Sequence, residues 1–381
     1  MPFRVFHSSD WHLGRTFLEA SLLEDQAWVL DRLIEALRDT RPDVLVVAGD
    51  IYDRAVPAKD AVELLDDVLW RIADLGIPVV AIAGNHDSPE RLSFGARLLE
   101  RSQVHLRGTL GAESKPVVIP GKGYVYAAPF VDPDVVRTTL ADDTLRGHAA
   151  ATERVVSAAR RDAAGRDLPT VLVAHAFVQG ARTTPDSERP ISVGTAGSVP
   201  AAAFSGFDYA ALGHLHGPQE VAPGIRYSGS LLKYSFSEAT HEKAAFLVEV
   251  DRGSSRAEPI LLGQKRDVVR IRGTMKELLH RDDLARYAGD YVEATLTDDG
   301  YVVDAMHTLR SRFPHILNVR RDPSTPGEAG TFASRVAGTA GDDQALFKAF
   351  LEDVTSTAPT EAQAACFADA VESVAREERD S

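Results

Sequence analysis

Five short groups of acids, amides and imidazoles carry the chemistry in this chain: Asp10-Trp11-His12; Gly49-Asp50, with Asp53 three residues on; Gly84-Asn85-His86-Asp87; His175; and Gly213-His214-Leu215-His216. Asp10, His12, Asp50, Asn85, His175, His214 and His216 together offer two carboxylates, an amide oxygen and four imidazoles. A mixed oxygen and nitrogen set suits two transition-metal ions, whereas magnesium and calcium prefer all-oxygen shells. No cysteine stands among them, which argues against a structural zinc site. Two ions sharing a carboxylate, roughly 3.5–4 Å apart, can activate water and clamp the attacking and leaving oxygens of a phosphate ester. Asp50 lies centrally in the set and is the natural bridge. His86, directly after Asn85, would face the site without being needed as a ligand. That place suits a proton donor to the leaving oxygen, or a group that stabilises the charged phosphorane. A single Asp-x-His or His-x-His pair is weak evidence, but five groups in this order, each ending an apolar run, point to a dimetal centre.

Those groups need elements to bring them together. Apolar, β-branched runs precede them at Phe3 to Ser8, Val44 to Ala48, Val79 to Ala83, Thr170 to Ala174 and Tyr209 to Leu212. Their almost uninterrupted apolar character is that of strands covered on both faces. Helical spacing of apolar residues recurs between them, over Leu23 to Leu37 and Ala61 to Leu75, and Ser88-Pro89-Glu90 reads as the capped start of a third helix. Strand and helix alternate, which predicts a layered α/β core. In such sheets ligands gather beyond the carboxyl ends of the strands, so distant stretches of chain converge on one site.

Near Lys265 the texture changes. Strands are expected at Val268 to Ile271, Tyr291 to Leu296 and Ile316 to Val319, with helices at Met275 to Leu279 and Val303 to Phe313, a small α+β module. Asp322 to Gly330 has linker composition, and two helices with acidic and apolar faces follow at Asp343 to Val354 and Glu361 to Glu378. This divides the chain into a catalytic domain over 1–264, a small module over 265–321, a linker over 322–340 and a helical tail over 341–381.

Length and composition bound the function further. The chain has 381 residues, 26% charged and 44% hydrophobic, which excludes disorder and fibrous repeats as overall descriptions. No apolar run approaches the roughly 18 residues of a membrane span, and no leader pattern stands at the start. With one cysteine, Cys366, no internal disulfide is possible, so a cytoplasmic location is expected. The net charge of −14 argues mildly against nucleic acid as a partner, but its distribution weakens that objection. From Gly341 onward 10 acidic residues face 3 basic ones, whereas Lys265 to Arg321 carries 11 basic against 9 acidic.

The five groups resemble the five-motif signature of calcineurin-like metallophosphoesterases. The surrounding residues, His7-Ser8-Ser9-Asp10-Trp11-His12-Leu13-Gly14-Arg15, Gly49-Asp50-Ile51-Tyr52-Asp53-Arg54 and Tyr227-Ser228-Gly229-Ser230 through Glu238, are similar to those of the SbcD family. SbcD is the bacterial branch of the Mre-type double-strand-break nucleases. The resemblance implies a four-layer α/β sandwich with a small α+β capping domain and a C-terminal helical tail. It implies one metal on Asp10, His12, Asp50 and His216, and a second on Asp50, Asn85, His175 and His214, with manganese the usual ion and His86 the catalytic histidine. At position 53, archaeal and eukaryotic relatives tend to carry His, whereas Asp53 follows the bacterial pattern. The implied activity is exonuclease and endonuclease cleavage of DNA ends and hairpins, in a nucleoid-associated complex. The implied partners are an SbcC-type coiled-coil ATPase docked on the tail and a second copy of the chain, with Leu22, Trp28 and the segment after Ser88 as candidate contacts.

Arg15, Arg54, Arg91, Lys233 and Tyr234 are candidate phosphate contacts by their nearness to the motifs, and Arg310, Arg312, His315, Arg320 and Arg321 form a candidate DNA-backbone patch. Two other functions fit the same metal site: a small-molecule phosphodiesterase or phosphatase, and a non-catalytic DNA-end-binding scaffold. The added module and tail speak against the first, and the full set of ligand-type residues against the second.

Overall fold

Runs such as Val44–Val47 and Val79–Ile82 are buried along their whole length, as a strand covered on both faces must be. The computed structural model describes residues 2–188, 197–299, 302–322, 343–355 and 357–380, and they divide into two compact units, Met1–Val268 and Val269–Ser381. In the first unit, one six-stranded sheet runs in the order Ser254–Leu261, Ala244–Asp251, Phe3–Ser8, Val44–Val47, Val79–Ile82, Val104–Arg107. Its last four strands are parallel and its first two join antiparallel. The second sheet runs Gln219–Ala222, Ile225–Tyr227, Tyr209–Gly213, Thr170–His175, Gly123–Ala128, Val117–Ile119, parallel through its centre with antiparallel edges.

Alternation along the strands sorts their residues into layers. Val5, Val46, Val80, Val125, Val171 and Ala211 meet between the two sheets. On the far side of the second sheet, Leu172, Ala174 and Leu212 pack against Val155, Val156 and Ala159 of helix Gly147–Ala163. Leu45, Val47 and Ala81 are equally buried on the outer side of the first sheet, where helices Leu23–Thr40 and Lys59–Asp74 bury Leu30, Leu33, Leu65 and Val68. The result is four layers, helix, sheet, sheet, helix. Each fully buried Val or Leu contributes about 1.5–3 kcal/mol. An exposed pair such as Arg32–Glu35, at 2.6 Å, contributes about 0.2–1 kcal/mol, so burial dominates.

In the second unit, Val268–Gly273, Tyr291–Leu296 and Ile316–Arg321 form a three-stranded sheet over a core that includes Leu278, Val292, Leu309 and Phe313. Thr274 and Glu277 close a capping box at the start of helix Met275–His280. The helix expected over Val303 to Phe313 is shorter, Ala305–Arg310, because Asp304 turns into the left-handed region before it (φ 49°) and Pro314 bars its continuation. The tail forms helices Asp343–Thr355 and Glu361–Asp380, with Phe347 and Phe367 stacked at 4.1 Å. Of the expected linker 322–340, only Asp322 falls within the described residues.

Several elements carry no clear periodic signal. The helix expected after Ser88 is a single turn, Pro89–Leu92. Helix Gly147–Ala163 opens on glycine and is rich in alanine and arginine, and edge strand Ser254–Leu261 begins with three polar residues in a row and contains Pro259. Leu22, a candidate contact for a second copy, is buried and cannot serve as one.

One polar link ties the two sheets together. His7, on strand Phe3–Ser8, donates from Nε2 to the Leu212 carbonyl at 3.2 Å and accepts at Nδ1 from the Tyr209 hydroxyl at 2.9 Å. Burial lowers its pKa to about 3, against an ordinary unfolded value near 6.5. The unfolded chain therefore binds the extra proton first. Stability supplied by neutral His7 is complete above about pH 6.5 and is lost as pH falls towards 3. In denaturant titrations across that window, the His7→Gln variant should show a pH slope shallower than wild type by up to one proton, about 1.4 kcal/mol per pH unit. Parallel curves would refute the assignment.

Candidate metal centre

Each of the five groups leaves its strand at the carboxyl end, and the backbone there is bent sharply. Asp10, His12, Asp50 and His214 all adopt positive φ, at 54°, 45°, 50° and 110°, a conformation that costs each of them of order 1–3 kcal/mol. Glycine is required beside them. A Cβ on Gly84 would overlap the Asp50 carboxylate, and one on Gly213 would overlap the Ala48 carbonyl. The two turns following the second and third strands are held by Asp87, whose carboxylate accepts from the N–H groups of Ile51 (3.1 Å), Tyr52 (2.8 Å) and Gly84 (2.9 Å). Burial and the nearby Asp50 charge push its carboxyl up to about 7, against the pull of those donors.

All seven expected ligands lie together. Asp10, His12, Asp50, His175, His214 and His216 are buried and Asn85 is partly so. Their donor atoms gather in overlapping groups whose members lie within 4.8 Å of one another, Asp10 with His12 and His216, Asp50 with His175 and His214, and His12 with Asp50 and His86. Asp50 belongs to two of these. Asp10 accepts from the His214 N–H at 3.0 Å and from the Ser9 hydroxyl at 2.5 Å.

Protonation follows from these partners. His175 Nδ1 lies 2.8 Å from the Ala48 carbonyl, which only accepts, so Nδ1 carries the hydrogen. Burial lowers the pKa of this ring, so it is neutral and its Nε2 is a bare lone pair. That lone pair faces Asn85 Oδ1 at 2.9 Å and Asp50 Oδ2 at 3.5 Å. His214 Nδ1 approaches the same Asn85 oxygen at 3.0 Å. Burial likewise lowers His12 to about 4, His216 to about 3 and His214 well below the usual range. His12 Nε2 and His216 Nε2 face each other at 3.0 Å, and His12 Nδ1 is buried without a hydrogen bond, 3.5 Å from Asp53. Burial and repulsion from Asp50 raise Asp10. In Asp50, burial works upward too, but the imidazoles of His175, His12 and His86 outweigh it and keep the carboxyl low. Converging lone pairs and paired carboxylates repel one another in a buried space unless cations lie among them, so this donor set fits two divalent ions.

His86 stands at the rim. Its ring lies 4.7 Å from that of His12, its N–H bonds Asp50 at 2.9 Å, and its Nδ1 donates to the Asp53 carbonyl at 2.8 Å. It opens with Arg15, Arg54, Asp53, Ser187 and Glu188 onto a cleft of about 430 Å³. A larger cleft of about 650 Å³, near Arg182 and Arg226, contains none of the expected ligands.

Of the candidate phosphate contacts, Arg15 and Arg54 line the cleft and Arg91 is exposed, but Lys233 and Tyr234 face inward. Lys233 bonds the Ala239 carbonyl (2.8 Å) and Asp267 (2.7 Å), and the Tyr234 hydroxyl donates to the Trp11 carbonyl (2.6 Å). Both side chains are committed to partners within the fold that spacing in sequence does not reveal. In the second unit, Arg320 shares the buried Glu293 carboxylate with Arg270, which neutralises part of the expected basic patch. Sequence reasoning missed Asp87 as a clamp, although it lies within a quoted motif, and it missed Ser9, Ser187 and Lys243.

Residues 3–218 match the family model for calcineurin-like phosphoesterases, and residues 264–355 match the model SbcD_C, described as a type 5 capsule protein repressor C-terminal domain. Among solved structures, the chain is similar to TT1561 of Thermus thermophilus at 13% identity, covering 69% of this chain and 100% of that one, with a TM-score of 0.42. It is also similar to a family 1 β-glucosidase from Thermotoga maritima, in complex with isofagomine lactam, at 9% identity, covering 84% and 83%, with a TM-score of 0.20. Neither score carries an argument about fold or function. The fold and the centre rest on the chain's own geometry and on the two matched models. No helix among the described residues is long and apolar enough to cross a membrane.

Asp87→Ala removes the acceptor of three backbone N–H groups, two of them buried. It should cost about 2–4 kcal/mol in urea unfolding and weaken divalent-ion binding. A variant within about 0.5 kcal/mol of wild type would show that the clamp is dispensable.

Proposed function

The chain belongs to the calcineurin-like phosphoesterase family, and from that premise we propose that it is an SbcD-type DNA nuclease subunit that hydrolyses phosphodiesters at double-strand ends and hairpins. The observation that carries this reading is the joining of a phosphoesterase centre to a C-terminal region matching SbcD_C. A small-molecule phosphodiesterase has little use for that second region.

In this proposal Asp10, His12, Asp50 and His216 hold one divalent ion, and Asp50, Asn85, His175 and His214 hold the other, with manganese favoured by the mixed donor set. Such ions, when bound, polarise phosphoryl oxygens and lower the pKa of water. The protein's own contribution is orientation and proton transfer. His86 is fixed through its Nδ1 hydrogen to Asp53, so Nε2 is the atom that exchanges a proton with the substrate oxygen or meets its developing charge. Arg15, held over the Tyr234 ring at 4.7 Å, is placed to meet a neighbouring phosphate in the cleft. Domain roles follow the same reading: hydrolysis in 1–264, DNA capping in 265–321, a linker over 322–340, and docking of an SbcC-type ATPase on 341–381, in a cytoplasmic, nucleoid-associated complex.

With manganese and labelled linear duplex, hairpin and single-stranded DNA, His86→Ala should cleave about 10²–10⁴-fold more slowly than wild type at unchanged fold. Normal cleavage by the variant would remove His86 from the chemistry. Turnover of a cyclic nucleotide or aryl phosphodiester by wild type, with none of DNA, would overturn the substrate assignment.

A second copy is proposed to cover the segment after Ser88, where Phe94 is 87% and Leu98 72% exposed. The double substitution Phe94→Asp, Leu98→Asp should convert a dimer to a monomer in light scattering. An unchanged mass would place the dimer contact elsewhere.

A further inference from the structure

His216 is held differently from His175. Its Nδ1 lies 2.7 Å from the Ser187 hydroxyl, which lies 2.5 Å from Glu238 Oε1. The other oxygen of Glu238 is bonded by the ammonium of Lys243, which also reaches the His216 carbonyl and Ser230 Oγ, each at 2.8 Å. Ser187, Glu238 and Lys243 are all buried. The carboxylate of an ion pair only accepts, so the single hydroxyl hydrogen of Ser187 points to Glu238. Its lone pair then accepts from His216 Nδ1–H, and the ring presents a bare Nε2 towards His12.

The backbone of His216 is gripped from the same stretch. Its N–H bonds Glu188 Oε1 at 3.1 Å, while Glu188 Oε2 accepts from Thr184 N–H at 3.1 Å. Arg15 donates to the Ser187 carbonyl at 3.2 Å. Residues 184–188 thus hold both the ring and the backbone of one expected ligand, and Ser187 and Glu188 also form a wall of the cleft.

We propose that Ser187 and Glu238 are positioning residues that fix the tautomer and orientation of His216 for its cation, and that segment 184–188 docks as part of that cation's site. The inference rests on the reading of His216 as a ligand. Because coupling is reciprocal, an ion at His216 tightens the segment just as the segment prepares His216.

The test is calorimetric titration of Mn2+ into the full chain, with trypsin cleavage after the exposed Arg182 followed in parallel. Wild type should bind two ions, and their binding should slow the cleavage. Ser187→Ala should weaken one of the two sites by about 10–100-fold and abolish the protection, while Ser187→Thr, which keeps the hydroxyl, should restore both. Glu238→Gln strands the buried Lys243 ammonium and tests folding as much as binding, so the Ser187 series decides. A Ser187→Ala titration matching wild type would overturn the relay, as would equal weakening of both sites. No ion bound by wild type would instead sink the reading of the whole centre.

Discussion

Repulsion among buried electron-rich atoms is the constraint around which this molecule is arranged. Two carboxylates and four imidazoles are held in a space that would otherwise favour apolar groups. Buried charge is tolerated only where it is paired, and here the surrounding structure keeps the rings neutral and their lone pairs directed inward. Three devices do this: a backbone carbonyl behind His175, a hydroxyl relay behind His216, and the Asp87 carboxylate that binds the turns bearing Asp50 and Asn85 into one unit. The left-handed backbone at four of the seven positions is the local cost of aiming side chains from strand ends at a common point.

The sandwich explains how that cost is met. Residues from Asp10 to Asn85 leave the first sheet and those from His175 to His216 leave the second, so the centre straddles the junction of two apolar layers. Packing between the sheets is worth far more than the strain at their ends, and the His7–Tyr209 link keeps the strand carrying Asp10 in step with the strand carrying His214.

Legibility in the sequence followed the range of the forces involved. Buried parallel strands announce themselves as apolar runs, and the polar residues at their ends are adjacent to them in sequence, so the five core strands and the convergence of seven side chains beyond them are legible directly. The supports could not. Asp87 and Ile51 are 36 residues apart, and Ser187 and Glu238 are 51 apart. A hydrogen bond between such positions leaves no periodic trace. The inward placement of Lys233 and Tyr234 is hidden for the same reason, since a polar residue near a motif looks alike whether its head meets solvent or a carbonyl of the fold. Elements poor in large apolar residues, such as helix Gly147–Ala163 and strand Ser254–Leu261, were hidden by composition.

The place of the first strand has a consequence for the order of assembly. Phe3–Ser8 pairs with Val44–Val47 on one side and, through Phe3 opposite Val250, with Ala244–Asp251 on the other. During vectorial synthesis one edge of this strand stays open until some 250 residues have emerged, which at about 5–20 residues per second is a wait of roughly ten seconds to a minute. When Ala244–Asp251 arrives it closes the ladder beside the residues that lead into Asp10, and only the edge strand Ser254–Leu261 then follows, so the centre matures late, after most of the apolar interior is already in place.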